Sequence, residues 1–189
     1  PDGVVELLRS LYLYGKESPD YAIGRSILSR AQMADPENLF PALVRLGVFE
    51  ENENVELIRL DVPAFFSPEV KAHAEALVHR ADARGGDEAR KDLTGLPTMT
   101  IDGQATLDFD DALSIETDGK HIRLGVHIAD VGHFIRRGEP ADQAALNRGS
   151  SIYMPDSRIP MLPPQLAEGV CSLKAGEIRP AVSLFAELN

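Results

Sequence analysis

Between Thr98 and Glu116 the chain reads T-M-T-I-D-G-Q-A-T-L-D-F-D-D-A-L-S-I-E, which places Asp102, Asp108, Asp110 and Asp111 at spacing D-x5-D-x-D-D. Residues 100–118 hold six acidic side chains and no Lys or Arg. Carboxylates this close raise the cost of ionising one another, so a fold that gathers them calls for a compensating cation. The set is all oxygen, with no Cys or His pattern beside it, and that chemistry suits a hard ion, Mg²⁺ or Mn²⁺. The flanks indicate how the cluster is carried. Met99 and Ile101 alternate with Thr98 and Thr100, a half-buried strand pattern ending at Asp102, and Gly103 permits a turn. A-L-S-I after Asp111 reads as a second strand, so the carboxylates fall at strand ends and in the connecting loop. Leu107, Phe109, Leu113 and Ile115 are expected to anchor that loop to a core, which argues against a merely solvated acidic stretch. A calcium hand fails on spacing: counted from Asp108, the glycine position is Leu113 and the terminal glutamate position is Gly119.

A chain of 189 residues, 43% hydrophobic, can build one domain or two small ones. It contains no apolar run of the ~18 residues that span a bilayer, and no signal-peptide pattern at its start. A single cysteine, Cys171, cannot form an internal disulfide, which makes a reducing cytoplasm the natural setting.

Ahead of the aspartates the periodicity is helical. Val4, Leu7, Leu8, Leu11 and Tyr12 share one face of a helix over 4–14, closed by Gly15. Ser18-Pro19 predicts the start of a second helix, with Tyr21, Ile23, Ile27, Leu28 and Ala31 as its stripe. Asp35-Pro36 marks a turn, and Pro41 suits the first turn of a third helix over about 39–46, capped by Asn38 and stopped by Gly47. Val48-Phe49, the E-E-N-E-N turn and Val55–Leu60 read as a hairpin. Three helices and a hairpin are the order of a winged helix-turn-helix. The segment Glu50 to Glu56 carries four glutamates and no cation, and the third helix offers only Arg45. That composition repels phosphate, so packing or protein contact is favoured over direct reading of nucleic acid. Ser67-Pro68 opens a further helix with Val70, Ala74, Leu77 and Val78 as its stripe, running to about Ala83 and stopped by Arg84–Asp87. It reads as a bridge, and its His73 and His79 read as solvated.

Beyond the aspartates, His121–Ile128 alternates as a strand and Pro140–Arg148 reads as a short helix closed by Gly149. Ser150–Met154 is expected to return as a strand, and Leu166–Gly169 as a helical turn. For His127 and His133 structural hydrogen bonding is favoured over catalysis, because buried polar groups usually find partners; Asp130 belongs to the same stretch.

The stretch L-P-T-M-T-I-D-G-Q-A-T-L-D-F-D-D-A-L-S-I-E resembles the opening of the RNB catalytic domain of the ribonuclease II / ribonuclease R family. The resemblance continues through L-G-V-H-I-A-D-V-G-H-F-I (124–135), R-G-S-S-I-Y-M-P-D-S-R-I-P-M-L-P (148–163) and G-V-C-S-L (169–173). Several ordered motifs in succession are stronger than one short pattern. It covers roughly residues 90–189, while residues 1–90 do not resemble the cold-shock modules that often precede this domain. The implied fold is α+β: a winged-helix-like helical domain over 1–62, a bridging helix and linker over 63–90, and the N-terminal part of a mixed α/β RNB domain over 91–189. The family's domain is several times longer than the matched stretch and draws an active-site arginine and glutamate from later sequence, so the chain is expected to be a fragment whose partner is the remainder of its own catalytic domain.

The resemblance implies processive 3′→5′ hydrolysis of single-stranded RNA to 5′-mononucleotides. Two Mg²⁺ (or Mn²⁺) ions would activate water and stabilise the leaving 3′ oxygen. On the family's pattern Asp102, Asp108 and Asp111 would hold metal, and Asp110 would be the most sensitive catalytic position. Tyr153, in Y-M-P-D, would stack on terminal nucleotides. The alternative is a catalytically silent RNA-binding or scaffold relative, against which the intact four-aspartate set argues. The net charge of −11 is unusual for an RNA enzyme, but more than half of it lies in residues 100–118, and no part of the chain is a strong phosphate-binding surface.

Overall fold

The computed structural model describes residues 2–33, 36–83 and 90–188. The turn expected at Asp35 and the helix stop at Arg84–Asp87 lie outside them. The chain forms two compact units, divided after Ala64.

The first unit is helical. Helix α1 (Asp2–Tyr14) ends where Gly15 takes φ +54° and opens a 3₁₀ turn, Gly15–Glu17. Its buried face is largely the expected one: Leu11 is buried, Leu8 and Tyr12 pack against the same core, Leu13 joins them, and of the expected stripe Val4 is exposed. Helix α2 (Tyr21–Arg30) starts later than Ser18-Pro19 predicts, with Asp20 as N-cap; Ser18 is buried instead and its hydroxyl lies 2.9 Å from that of Ser10. Gly24 is where α2 comes closest to α1, since a Cβ there would lie 2.9 Å from Leu7 and Leu11 methyl carbons. Helix α3 (Pro36–Arg45) begins at Pro36 rather than at an Asn38 cap, and Pro41 lies inside it. One lost backbone bond is the cost, and burial of Leu39 and Leu43 offsets it.

The expected hairpin over 48–60 is not formed. Val55–Arg59 is a short helix, α4, entered through a bond from the Leu57 N–H to the Asn54 carbonyl. Val55 and Ile58, three apart, pack against the core of Leu11, Leu28, Leu43 and Phe49. A six-residue run such as V-E-L-I-R-L satisfies strand alternation and helical spacing equally, and here tertiary packing chose the helix. The unit is thus helix-turn-helix in character without a wing.

The second unit begins with α5 (Pro68–Ala83), whose first turn is capped by a bond from the Val70 N–H to Ser67 Oγ at 3.3 Å. Ala74 and Leu77 belong to this unit's core, together with Phe134, Ile135, Ala141, Leu162, Leu166, Val170 and Cys171. His79 is exposed as expected, but His73 is not solvated: it is half-buried, with Nε2 3.5 Å from Glu139. A four-stranded antiparallel sheet follows, in the order β1 (Thr98–Met99), β2 (Asp111–Thr117), β3 (Ile122–Ala129), β6 (Ala181–Leu188). The β3-to-β6 connection contains α6 (Val131–Phe134), α7 (Pro140–Arg148), the hairpin β4 (Ile152–Tyr153) and β5 (Arg158–Ile159), and a π turn, Leu166–Val170. Gly149 closes α7 at φ +74°, as its sequence predicts.

The two faces of the sheet differ. On one, Ser114, His127 and Ser183 form a polar row across three strands, with Ser114 Oγ 2.9 Å from Nε2 and Ser183 Oγ 2.8 Å from Nδ1 of His127. Gly125 makes room for it, because a Cβ there would come within 2.9 Å of His127 Nε2. On the other, Met99, Ile115, Ile128, Val182 and Leu184 are exposed.

Candidate active site

The aspartate segment is positioned by its backbone. The Phe109 N–H donates to Ser172 Oγ at 3.0 Å, and the Ser172 hydroxyl donates to the Leu107 carbonyl at 2.9 Å. The Leu173 N–H donates to the Phe109 carbonyl at 2.9 Å, and the Ala129 N–H to the Asp110 carbonyl at 2.8 Å. These bonds hold residues 107–110 against the stretch after the π turn and deliver Asp111 to the first position of β2. The sequence leads one to expect Leu107, Phe109, Leu113 and Ile115 as the anchors. Leu107 and Ile115 are in fact exposed and the other two only half-buried. A hydrogen-bonded ladder replaces them, because it can orient a loop whose carboxylates must stay open.

Asp102, Asp108, Asp110 and Asp111 line one open cleft of about 560 Å³ together with Tyr153 and Arg158. The Asp110 carboxyl is raised above its ordinary value, first by partial loss of water around it and then by repulsion from Asp108, Asp111 and Asp102. Tyr153, 68% exposed, donates its hydroxyl to Asp108 Oδ2 at 3.3 Å. Its phenol is also raised, by loss of water around the hydroxyl and then by Asp108.

Among the described residues, no group of three or more His, Cys, Asp or Glu side chains is drawn together tightly enough to hold a metal ion. The donor chemistry nevertheless fits a hard divalent cation. All four groups are carboxylates facing one cleft, and their repulsion at Asp110 is what a cation relieves.

Three residues, Ser172, Arg158 and Glu168, shape the site without a spacing signal that points to it. Ser172 fixes the aspartate segment and is fully buried; its signal was its place in G-V-C-S-L. Arg158 faces Tyr153 across the β4–β5 pair, closed by a bond from the Met154 N–H to the Ser157 carbonyl at 2.9 Å. Its Nη1 donates to Asp108 Oδ1 at 3.3 Å, and its Nη2 pairs with Glu168 of the π turn. Both lie within or beside the matched motifs, but nothing in their spacing announces the pairing. His127 is buried in the serine row. Asp130 caps α6 through the His133 N–H at 3.2 Å and accepts from Arg90 at 2.7 Å, while His133 Nδ1 lies 3.2 Å from the same guanidinium. These are structural hydrogen bonds, and none of the three residues lines the cleft.

Comparison with known proteins finds matches over both units. The RNB domain family matches residues 90–189, and a double HTH domain family matches residues 2–55. Ribonuclease R of Thermotoga maritima is 43% identical over 135 residues, covering 69% of this chain and 18% of that protein. Ribonuclease R of Escherichia coli is 51% identical over 85 residues, covering 44% of this chain and 10% of that protein. The chain therefore spans less than a fifth of the length of either relative. Among solved structures, Mycoplasma genitalium RNase R in complex with double-stranded RNA matches at TM-score 0.58 and 31% identity, over 72% of this chain and 24% of that one. An active-site mutant of Dss1 exoribonuclease from Candida glabrata matches at TM-score 0.72 over 98% of this chain and 26% of that one; at 21% identity it speaks for the fold alone. With the aspartate segment, the serine anchor and the tyrosine hairpin all inside the matched span, the chain belongs to the RNB-domain family of ribonuclease II / ribonuclease R type, preceded by a helix-turn-helix unit.

Proposed function

We propose that this chain carries the cation-binding part of a hydrolytic, processive 3′→5′ exoribonuclease acting on single-stranded RNA. The observation that carries the reading is the gathering of Asp102, Asp108, Asp110 and Asp111 on one cleft. Asp102, Asp108 and Asp111 would hold Mg²⁺ or Mn²⁺. Such ions supply an activated water and charge relief at a phosphodiester. The chain's own residues do the rest. Asp110 orients the attacking water and takes up its proton, a role that a raised carboxyl suits. Tyr153 offers an exposed ring to the terminal bases, with its hydroxyl tethered to Asp108. Ser172 keeps the aspartate segment in place.

The exposed apolar face bearing Ile128, Val182 and Leu184 supports the view that further sequence of the same catalytic domain covers this sheet. The acidic stretch Glu50–Glu56 supports protein contact, rather than RNA reading, for the helical unit. A free, buried Cys171 supports a cytoplasmic setting, and among the described residues no helix is long and apolar enough to cross a membrane.

The test is a Mn²⁺ titration of the complete protein beside a variant with all four aspartates changed to Asn, with cleavage of 5′-labelled RNA followed on a gel. Saturable Mn²⁺ binding and a product ladder, both lost in the variant, are expected. Unchanged Mn²⁺ binding excludes this site, and RNA binding without cleavage by the unaltered protein identifies a silent, RNA-binding relative.

A further inference from the structure

We infer that Arg158 is a substrate-phosphate contact of this cleft, parked on Asp108 until a cation engages that carboxylate; the inference rests on the exoribonuclease reading and assigns a residue that reading does not use. Arg158 is the one basic side chain among the described residues that line the cleft, against four aspartates. An RNA phosphate entering there meets like charge on most sides. A guanidinium presents planar, forked donors that match phosphate oxygens.

The geometry shows a side chain paired behind and loosely held in front. Behind, Nη2 pairs with Glu168, which is fixed in the π turn between the buried Leu166 and Val170. In front, Nη1 reaches Asp108 Oδ1 at 3.3 Å, beyond the 2.7–2.9 Å of a tight charge-assisted bond. Asp108 is shared a second time with the Tyr153 hydroxyl, also at 3.3 Å. The Arg158 side chain lines the cleft and keeps 29% of its surface open, so a ligand there can reach its front donor. A cation at Asp108 would thus compete with Arg158 and the Tyr153 hydroxyl for its oxygens. Engaging it with a cation frees a guanidinium donor for phosphate, which couples cation and RNA binding through one carboxylate; such coupling is reciprocal.

The experiment measures RNA affinity by fluorescence anisotropy with 5′-labelled single-stranded RNA. It uses the complete protein in an Asp110→Asn background so that the RNA stays intact, with Mn²⁺ or with EDTA. Adding Arg158→Gln is expected to weaken RNA binding about tenfold in Mn²⁺, the loss of one charge-assisted contact, and to change it by less than about twofold in EDTA, where Asp108 holds the guanidinium. The salt dependence in Mn²⁺ should flatten by about one phosphate. Arg158→Lys keeps the charge and the Glu168 pair but not the fork, and is expected to fall between the two; it also guards against a folding defect in the Gln variant. Glu168→Gln should lose part of the Mn²⁺-dependent gain. Metal-dependent RNA binding that Arg158→Gln and Arg158→Lys leave untouched overturns the inference alone, as does an equal loss in Mn²⁺ and EDTA. No RNA binding by the parent overturns the exoribonuclease reading and the inference together.

Discussion

In the helical unit Tyr12, Phe40 and Phe49 meet with ring centroids 5.5 to 5.8 Å apart, around buried Leu11, Leu28, Leu39 and Leu43. In the sheet-bearing unit the buried set includes Ser114, His127 and Ser172, each hydrogen-bonded across strands or to the aspartate segment. The contrast follows from what each unit must do. Apolar contact is non-directional and is enough to hold helices together. It cannot set the angle of a carboxylate. A loop that keeps four aspartates open to a cleft needs bonds with direction, and Ser172 provides two of them.

The sharpest break of this contrast is Asp110→Asn. If the polar side of the molecule is the chemical side, turnover of the complete protein should fall by several orders of magnitude while RNA affinity stays level or rises, since one anion facing phosphate is gone. The readout is a 5′-labelled RNA ladder run beside filter binding; near-normal cleavage would remove Asp110 from the mechanism.

Leu43→Ala, at 0% exposure, probes the apolar side. It should cost about 2–5 kcal/mol of unfolding free energy in a denaturant melt and leave Mn²⁺ binding unchanged. Ser172→Ala should show a different balance. Stranding the Phe109 N–H and the Leu107 carbonyl costs about 1–3 kcal/mol for each group, and Mn²⁺ affinity should fall as well because the aspartate segment is loosened. Equal effects of both variants on Mn²⁺ binding would erase the distinction between the units.

Tyr153→Ala removes a stacking surface worth on the order of 1–3 kcal/mol. Cleavage should persist and the final product should change in length; an unchanged ladder makes the ring dispensable.

The smallest effect concerns Cys171, whose thiol burial pushes up from 9.0 to about 12. The native protein should resist thiol-specific labelling at pH 8, and the unfolded chain should not. The folded thiol stays protonated where an unfolded one ionises, so this contribution to stability is complete below about pH 9 and is lost as pH rises through about 12. Rapid labelling of the native chain would show that this core opens readily.

Much of this organisation is legible in local pattern. The helical face of α5, the strands β2 and β3, and the glycine stops at Gly15 and Gly149 all follow from residues a few positions apart; of the stripe expected on α2, Leu28 is buried and Tyr21 packs on the core, but Ile23 and Ala31 are exposed. The hairpin forecast over 48–60 failed because Val55–Leu60 satisfies both periods, and only the positions of Leu11 and Leu43 made helical burial the better choice. Local sequence points to the apolar neighbours of the aspartate segment as its anchors, because only these stand beside it in the chain. The actual anchor, Ser172, lies 63 residues from Phe109.

By itself, then, the sequence determined that Asp111 would open a strand, that Asp108 and Asp110 would lie in the loop before it, that helices would precede them, and that Tyr153 would follow in a matched motif. Those features depend on backbone preferences and side-chain spacing acting over a turn or a strand. The half-buried strand expected to end at Asp102 stops at Met99 and is exposed. Tertiary structure alone decided that Arg158, 50 residues from Asp108, would occupy that carboxylate, that Glu168 would hold Arg158 from behind, and that Val55–Arg59 would coil. Ion pairs and buried hydrogen bonds form between whatever groups the packed chain brings within about 3 Å, and local sequence carries no record of that distance.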